Sequence, residues 1–370
     1  MKIKLLLLTV TLLCSGAVCL PTVGGGDPDL DKIKLPKGFS IEYFAKNVEN
    51  ARSLARGPMG TIFVGSRKEG SVYALIDSDG DNKADQQIVI ATGMNMPNGV
   101  AMRNGDLYVA EVSKIWRFPD IENNLESPKK ELINEDFPTE THHGWKYIAF
   151  GPDDKLYVPV GAPCNVCEKE DPIFGTITRM NPDGSDREIY AHGVRNSVGF
   201  TWHPDDKTLW FTDNGRDWLG DDSPSDELNH APEKGLHFGF PYCHQGDTPD
   251  PKLAGNRSCE EFVGPEIKMG PHVAGLGLKF NTSNNFNKDF NGDLFVAHHG
   301  SWNRTDPIGY RVVRIEFEEG KAIRQHEFAS GWLDKNDAWG RPVDVLFLPD
   351  GSMLVSDDYN DCIYRIAYSG

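Results

Sequence analysis

The stretch "IAFGPDDKLYVPV" (residues 148–160) indicates a β-hairpin, because two apolar runs flank a Gly-Pro-Asp-Asp turn. The same pattern of apolar run, polar turn and aliphatic or aromatic run occurs six times along the chain. The apolar cores of the six copies begin at Ile62, Leu107, Leu156, Leu209, Leu294 and Met353. Four of the five intervals span 45 to 59 residues, and the interval between Leu209 and Leu294 spans 85. Each interval has room for about four short strands, which is the content of one propeller blade.

We therefore predict an all-β fold, a six-bladed β-propeller. The 38 Gly and 24 Pro residues are spread along the chain, which suits a protein with many tight turns better than a helical one. The early strand "FSIEYFAK" (39–46) is expected to pair with "CIYRIAYSG" (362–370) in the last blade and so to close the ring. The alternatives are a large β-sandwich or two β domains, and six copies in phase argue against both.

The N-terminal stretch "MKIKLLLLTVTLLCSGAVC" (1–19) has the composition of a secretory signal peptide. Two lysines precede an apolar run at 5–13 that is too short to span a bilayer. A buried strand and an uncleaved anchor are the alternatives. We expect residues 20–37 to form a flexible lead and residues 38–370 to form the propeller, with a long polar insertion at about 214–275. The signal predicts a secreted protein, or a periplasmic one in a bacterium.

The overall charge restricts the partners of the protein. The formal net charge is −17 at pH 7, and no basic cluster stands out in the sequence. Because binding to phosphates needs a basic surface, we expect neither nucleic acid nor an anionic membrane as a partner. After the N-terminal stretch, no segment is apolar over a sufficient length to predict a stable membrane span.

Five cysteines follow the N-terminal stretch. In an oxidising compartment we expect Cys164 to pair with Cys167 and Cys243 with Cys259, which leaves Cys362 over. The second bridge would hold the long insertion. The motif "CNVC" also permits a redox pair or half of a zinc site, but no second Cys-x-x-Cys motif accompanies it.

An acidic stretch, "DSDGDNKAD", places carboxylates at Asp77, Asp79, Asp81 and Asp85. Carboxylates at alternate positions are typical of the start of a calcium loop. The stretch departs from an EF-hand, because Asn82 stands where the EF-hand glycine is needed. A short hairpin that binds calcium structurally and a solvated acidic turn therefore both stay open.

Several residues, most of them polar, lie next to the repeated strand pairs, in different blades: His142, Arg195, Asn196, Asp213, Asn214, Gly215, His298, His299 and Arg341. In a propeller the loops at one rim of the channel come together, so we expect these residues to meet. Arginines and histidines gathered in one pocket of an acidic protein favour an anionic ligand.

Six motifs carry a resemblance to a known family. They are "HHGWKYIAFGPDDKLYVPVG", "HGVRNSVGFTWHP", "TDNGRDW", "DELN", "FGFP" and "WGRPVDVLFLPDGSMLVSDD". The chain resembles the soluble quinoprotein sugar dehydrogenases, in particular their sorbosone or pyranose dehydrogenase branch, over nearly all of residues 38–369. The resemblance implies a six-bladed propeller that binds pyrroloquinoline quinone (PQQ) and Ca²⁺.

The resemblance also implies roles for single residues. His142 takes the position of the family's catalytic base, a neutral imidazole that accepts the proton of a sugar hydroxyl while the hydride leaves for the quinone. Arg195, Asn196 and Arg341 match contacts to the cofactor. His299 stands where relatives have a cofactor-contacting lysine.

The family's calcium rests on cofactor oxygens and on main-chain carbonyls, whose positions are taken here by Gly215 and Arg216. A second cofactor arginine often follows Arg341 in the family, and Val343 stands at that position here. The implied activity is the oxidation of a sugar or sugar aldehyde, with electrons passed to PQQ and then to an external acceptor.

Two other functions stay open at this point. A calcium-dependent propeller lactonase would use His142 or another rim residue with a metal-activated water. A non-enzymatic propeller would bind a sugar or a protein through the same rim. The arginines favour the oxidoreductase, because a lactonase site needs a cage of carboxylates more than two arginines. Motifs for serine hydrolysis, nicotinamide binding, phosphate-binding loops and zincin chemistry are absent from the sequence.

Overall fold

Six antiparallel sheets of four strands each are arranged as a β-propeller in the computed structural model, which describes residues 30–370. The prediction of an all-β, six-bladed propeller is confirmed. The predicted signal peptide (1–19) and residues 20–29 of the predicted lead lie outside the described residues. Within residues 30–370, no helix is long and apolar enough to cross a lipid bilayer. The 3₁₀ helices of this part are Leu30–Lys32, Ile121–Asn123, Cys259–Glu261 and Lys288–Phe290.

Each blade begins with the strand that lies next to the central channel. The strands of blade 1 are Ala51–Arg56, Ile62–Ser66, Val72–Ile76 and Gln86–Ala91. Those of blade 2 are Gly99–Arg103, Asp106–Ala110, Ile115–Phe118 and Glu131–Asn134. Those of blade 3 are Ala149–Phe150, Leu156–Val160, Thr176–Met180 and Glu188–His192.

The second half of the ring follows the same plan. The strands of blade 4 are Phe200–Trp202, Leu209–Asp213, Ser225–Ala231 and Ile267–Pro271. Those of blade 5 are Gly275–Phe280, Leu294–His298, Arg311–Glu318 and Lys321–Ala329. Those of blade 6 are Pro342–Phe347, Met353–Asp357, Cys362–Tyr368 and Phe39–Lys46. Two small hairpins pair Cys243–His244 with Thr248–Pro249 and Leu333–Asp334 with Asp337–Ala338.

Short connections of two to six residues join the first two strands of five blades, whereas residues 281–293 lie between these strands in blade 5. In blade 2 the turn consists of Asn104 and Gly105, whose φ angles are 52° and 85°. Asn and Gly tolerate this left-handed backbone, and such a turn matches the twist of the two strands. Apolar side chains of neighbouring blades fill the space between the sheets, as Phe295 of blade 5 does with Val355 and Tyr364 of blade 6.

The ring closes in blade 6, where strand Phe39–Lys46 pairs antiparallel with Cys362–Tyr368 along its whole length. The predicted closure is confirmed. The ring of Phe39 packs against four aromatic rings at centroid distances of 4.9 to 5.9 Å, those of Phe286, Phe290, Phe328 and Tyr368. The closing strand is therefore held both by its ladder of hydrogen bonds and by an aromatic cluster that it shares with blade 5.

The long fourth interval belongs to blade 4. Its extra chain, residues 232–266, leaves the blade after strand Ser225–Ala231 and returns at strand Ile267–Pro271. The stretch at about 214–275 that the sequence predicted as a loop thus contains two strands of the blade, because the polar strand "SDELNHA" pairs with Leu209–Asp213 despite its composition.

The structure contains both predicted disulfide bridges. Cys164 is bonded to Cys167, and Cys243 is bonded to Cys259 within the excursion of blade 4. Cys362 is a free thiol and is buried.

We expect the Phe39→Ala variant to be less stable than the wild type by about 3 kcal/mol, the low end for aromatic truncations, because the ring is only partly buried. Equilibrium unfolding in urea measures this difference. The Val89→Ala variant, in the exposed part of an outer strand of blade 1, is the control and should change stability by less than about 0.5 kcal/mol. Equal stabilities of Phe39→Ala and wild type would show that the aromatic cluster does not hold the closing strand.

Candidate functional site

A cavity of about 610 Å³ opens at one rim of the central channel. Its charged and polar lining comprises Arg52, Arg67, His142, His143, Arg195, Asn196, Asn214, Asp217, Asp226, His272, His299, Asn303, Tyr310 and Arg341. The structure thus brings seven of the residues predicted to meet to one cavity: His142, Arg195, Asn196, Asn214, Gly215, His299 and Arg341. Asp213 and His298, which were also expected there, are buried and do not line the cavity. The roles of the seven residues at the cavity stay predictions.

These residues meet because of their places in the blades. In an antiparallel hairpin, the start of the first strand and the end of the second strand lie at the same edge. Arg341 directly precedes the first strand of blade 6, and His299 directly follows the second strand of blade 5. The repeat therefore brings such positions from several blades to the same rim.

Among the residues of the site that the sequence analysis did not predict, the same positional rule identifies Arg67 and Asp358. Arg67 directly follows the second strand of blade 1, and Asp358 directly follows that of blade 6. The guanidinium of Arg67 lies 3.6 Å from the ring centroid of Trp145, and it forms no ion pair with any described residue. Burial, and then the charge of Arg52, lower the pKa of Arg67 to about 10. Arg67 is thus a cation without a counter-ion at the cavity wall.

One carboxylate joins basic side chains from three blades. Asp358 accepts hydrogen bonds from Nη1 of Arg52 and from Nε2 of His299, each at 2.9 Å. The Nε of Arg341 lies 3.2 Å from the same carboxylate. Burial alone would raise the pKa of Asp358, but His299, Arg52 and Arg341 together hold this pKa far below its usual range. Asp358 therefore stays ionised. Because Arg341 faces this carboxylate through its Nε, its terminal nitrogens keep no hydrogen-bond partner among residues 30–370.

Arg195 is held by the protein itself. Its Nε donates to the main-chain O of Asn165 at 2.8 Å, and its Nη2 donates to Oδ1 of Asn165 at 3.0 Å. Its Nη1 donates to the main-chain O of Asn214 at 2.9 Å, and Nη2 also reaches a carboxylate oxygen of Asp217 at 3.2 Å. These hydrogen bonds occupy four of the five guanidinium N–H groups. Arg195 can therefore offer a ligand its charge and one N–H, but no bidentate pair.

The Cys164–Cys167 bridge encloses the residue that orients Arg195. Asn165 lies between the two cysteines, and its Oδ1 also accepts the main-chain N–H of Asp217 at 2.8 Å. The bridge restricts this loop, so it contributes to the position of Arg195 at the cavity wall.

Two buried carboxylates fix the main chain behind the cavity. Asp213 accepts the main-chain N–H groups of Arg195 and Asn196 at 2.8 and 2.6 Å. Asp226 accepts the main-chain N–H of Gly215 at 2.7 Å, together with one from blade 5. Burial raises the pKa of Asp213, and it raises the pKa of Asp226 to about 7. These carboxylates thus place the Arg-Asn pair and the loop at Gly215 together.

His142 and His143 differ in exposure although their ring centroids are 4.1 Å apart. His143 is buried, and its Nδ1–H donates to the main-chain O of Ala162 at 2.8 Å. His142 is exposed at the cavity and makes no hydrogen bond with any described residue. Burial, and then the charge of Arg195, lower the pKa of both rings, that of His143 to about 2. Both imidazoles are therefore neutral at pH 7, and His142 can accept a proton from a molecule in the cavity.

The predicted calcium positions near the cofactor are Gly215 and Arg216. Gly215 lines the cavity. The side chain of Arg216 is buried in an ion pair with Asp250. A role of Arg216 at calcium would therefore rest on its main-chain carbonyl, as the resemblance implies.

The acidic stretch lies in the outer hairpin of blade 1, between strands Val72–Ile76 and Gln86–Ala91. Asp77, Asp79 and Asp85 bring carboxylate oxygens within 4.8 Å of one another. Asp81 is not part of this group, and its carboxylate accepts the main-chain N–H of the lysine two residues on. Calcium binding by this hairpin stays a prediction.

Several buried polar atoms at the cavity have no hydrogen-bond partner among residues 30–370. They are Nε of Arg67, Nε1 of Trp145, Oδ1 of Asn214, Oδ1 of Asn303 and Nε of Arg341. Buried polar groups without partners are costly and rare in folded proteins. Three of these atoms are N–H donors and the two amide oxygens are acceptors, so their concentration at one cavity indicates a polar ligand that both accepts and donates hydrogen bonds.

Comparisons with known proteins agree with the fold. The structure of a Trichoderma reesei enzyme of carbohydrate-active family AA12, determined with calcium, superposes with a TM-score of 0.80 at 19% identity, over 91% of this chain and 97% of that chain. The PQQ domain of the Coprinopsis cinerea pyranose dehydrogenase, in its holo form, superposes with a TM-score of 0.78 at 17% identity, over 90% and 97%. The resemblance that the motifs indicated is thus confirmed at the level of the fold.

Sequence comparison adds two relatives and a family. An uncharacterized protein of Borreliella burgdorferi is 32% identical over 91% of this chain and 91% of its own length. The PQQ-dependent pyranose dehydrogenase of Coprinopsis cinerea is 28% identical over 48% of this chain, and the match covers 31% of that protein. A family model described as "Domain of unknown function (DUF7133)" matches residues 27–366. The chain therefore belongs to the DUF7133 family.

Proposed function

We propose that the protein is a quinoprotein oxidoreductase that oxidises a sugar or sugar aldehyde at this cavity, with PQQ and Ca²⁺ as cofactors. The observation that carries the proposal is Arg67, a cation at the cavity wall that forms no ion pair with any described residue, beside buried polar atoms of Trp145 and Asn303 that have no hydrogen-bond partner within residues 30–370. Relatives whose names state PQQ dependence and pyranose oxidation support it. The lactonase alternative is weaker, because the cavity holds four arginines and few carboxylates that are not already paired with them.

The donor set of the cavity fits a planar polycarboxylate with quinone carbonyls. Arg67 and Arg341 would hold its carboxylates, because both keep N–H groups without partners among the described residues. The indole N–H of Trp145 would donate a further hydrogen bond. Ca²⁺ prefers oxygen ligands, and the main-chain carbonyls of Gly215 and Arg216 would supply them.

Bound PQQ would supply the hydride acceptor, and Ca²⁺ would make this acceptor more electrophilic. The chain's own contribution is the removal of a proton. A ring nitrogen of His142 would take the proton of the reacting hydroxyl, and the lowered pKa of His142 keeps that nitrogen free. His143 would hold the ring of His142 in place through their contact. The remaining N–H of Arg195 would orient the substrate or the cofactor.

We also propose that the protein acts outside the cytoplasm and passes its electrons to an external acceptor. The composition of residues 1–19 supports secretion. The two disulfide bridges support it as well, because such bridges persist in oxidising compartments.

PQQ and Ca²⁺ added together should raise the melting temperature of the protein, since a ligand that binds only the folded state stabilises it. Differential scanning fluorimetry measures the shift, and reduction of a dye with a panel of aldoses tests turnover.

We expect the Arg67→Ala variant to bind PQQ about 10- to 100-fold more weakly, the usual effect of losing one charged hydrogen-bond partner.

The Arg56→Ala variant is the matched control, because Arg56 is an exposed arginine at the opposite end of the inner strand of blade 1. It should bind PQQ like the wild type. No shift of the wild type at saturating PQQ and Ca²⁺ would contradict the proposal and favour the lactonase or a binding protein.

We expect the His142→Ala variant to lose about 10²- to 10⁴-fold in kcat, the usual contribution of a positioned base. PQQ affinity should change little, because other residues hold the cofactor. Steady-state kinetics beside a PQQ titration separates the two effects. Near wild-type turnover by a variant that binds PQQ normally would disprove the role of His142.

The pH dependence of kcat/KM tests the same role independently. The pKa of His142 is lowered, so the base is deprotonated above this pKa and activity should fall only as the pH drops below it. The acidic limb should therefore lie below the ordinary histidine value of about 6.5. The His142→Ala variant should lack this limb; retention of an identical limb would assign it to another group.

A further inference from the structure

Two tryptophan side chains stand exposed beside the cavity. Trp218 is 68% exposed and Trp302 is 71% exposed, and their rings form a T-shaped pair with centroids 5.6 Å apart. Trp302 lines the central cavity, and Trp218 lines an adjoining cavity of about 390 Å³. Asn303 lines both cavities, so the tryptophan pair stands where one leads into the other.

Within the described part of the chain, largely exposed aromatic side chains are confined to this part of the surface. Among residues 30–370, the Phe, Tyr and Trp side chains that are largely exposed are Trp218, Trp302 and Tyr359. Tyr359 lies beneath the guanidinium of Arg341 at 5.1 Å, so it too adjoins the central cavity. Large apolar groups that are exposed together mark a binding surface more often than single ones do.

The backbone at Trp218 is strained. Its φ angle is 69°, in the left-handed region that a bulky side chain seldom adopts. Such strain is typically retained at functional sites, where the surrounding structure enforces it. The strained residue presents its ring to solvent instead of to the core, so packing of the core does not explain it.

Two loops are tied together so that the tryptophan pair is already in place. Asn303 of blade 5 donates its Nδ2–H to the carboxylate of Asp217 at 2.6 Å. The guanidinium of Arg304 donates to the main-chain O of Asp221. The main-chain N–H of Thr305 donates to the carboxylate of Asp221 at 3.1 Å. A ligand of the pair would therefore not have to order these loops, which lowers the entropic cost of binding.

A pyranose ring matches this surface. One of its faces presents C–H groups, which pack on an indole ring, and its edge presents hydroxyl groups, which need polar partners. Such partners adjoin the rings: Oδ1 of Asn303 is buried without a partner among the described residues, and Asp221 and Arg304 line the adjoining cavity. A purely apolar ligand would leave these polar groups unmatched.

We propose that Trp218 and Trp302 form a subsite for a sugar ring outside the central cavity, so that the substrate is an oligosaccharide or glycan chain of at least two rings. The reacting ring occupies the central cavity and the next ring packs on the tryptophan pair. This inference rests on the proposed function for the identity of the reacting ring, but binding at the subsite requires no turnover.

Isothermal titration of the full chain tests the subsite, with and without PQQ and Ca²⁺. The probes are D-glucose, cellobiose, cellotetraose, maltotetraose and xylotetraose. We expect at least one oligosaccharide to bind about tenfold or more tightly than glucose, the effect of one good additional contact. The Trp218→Ala variant should lose this gain and leave the affinity for glucose unchanged, whereas Trp218→Phe should keep part of it.

The Ile323→Ala variant is the control, because Ile323 is an exposed apolar residue on the outer strand of blade 5. It should bind every probe like the wild type. Equal affinities of wild type and Trp218→Ala for all oligosaccharides would overturn the proposal, as would no binding of any oligosaccharide at millimolar concentration.

The two proposals fail in distinguishable ways. Tryptophan-dependent binding of an oligosaccharide without dye reduction would support the subsite and contradict the dehydrogenase. Dye reduction with glucose would support the dehydrogenase. If the Trp218→Ala variant then showed the same KM for oligosaccharides as the wild type, the subsite would be overturned.

Discussion

Pairing of strand Phe39–Lys46 with Cys362–Tyr368 closes the ring, and the geometry of the cavity depends on this closure. Closure pairs strand Cys362–Tyr368 with the start of the propeller and places blade 6 beside blade 1. Asp358 of blade 6 can then reach Arg52 of blade 1, while it also holds His299 of blade 5. The longest-range contact of the fold, between the two ends of the propeller, thus fixes a central carboxylate of the site.

The arginines of the cavity divide into two kinds. Arg52 and Arg195 are bound by carboxylates and main-chain oxygens, so they serve mainly to build the wall. Arg67 forms no ion pair with a described residue, and Arg341 approaches Asp358 only through its Nε, so the terminal nitrogens of both can bind a ligand. This division concentrates positive charge inside a protein whose formal net charge is −17. An anionic cofactor would be attracted by the local field even though the protein as a whole repels anions.

The sequence was sufficient to predict the fold, because each of the six hairpins can be identified from residues that are close together in the chain. It also predicted that His299 and Arg341 reach one rim, since each adjoins a repeated strand. It did not predict that Trp145 lies under Arg67, or that Asn165 occupies most of the guanidinium of Arg195. Those contacts join different blades, and their geometry depends on loops that lie outside the repeat.

A crystal structure of the protein grown with PQQ and calcium chloride tests the central claim most directly. We predict PQQ in the central cavity, with its carboxylates against Arg67 and Arg341 and with Ca²⁺ on the main-chain oxygen of Gly215. A cavity that holds no PQQ at saturating concentration, or PQQ bound elsewhere, would contradict the claim that this rim is a quinoprotein active site.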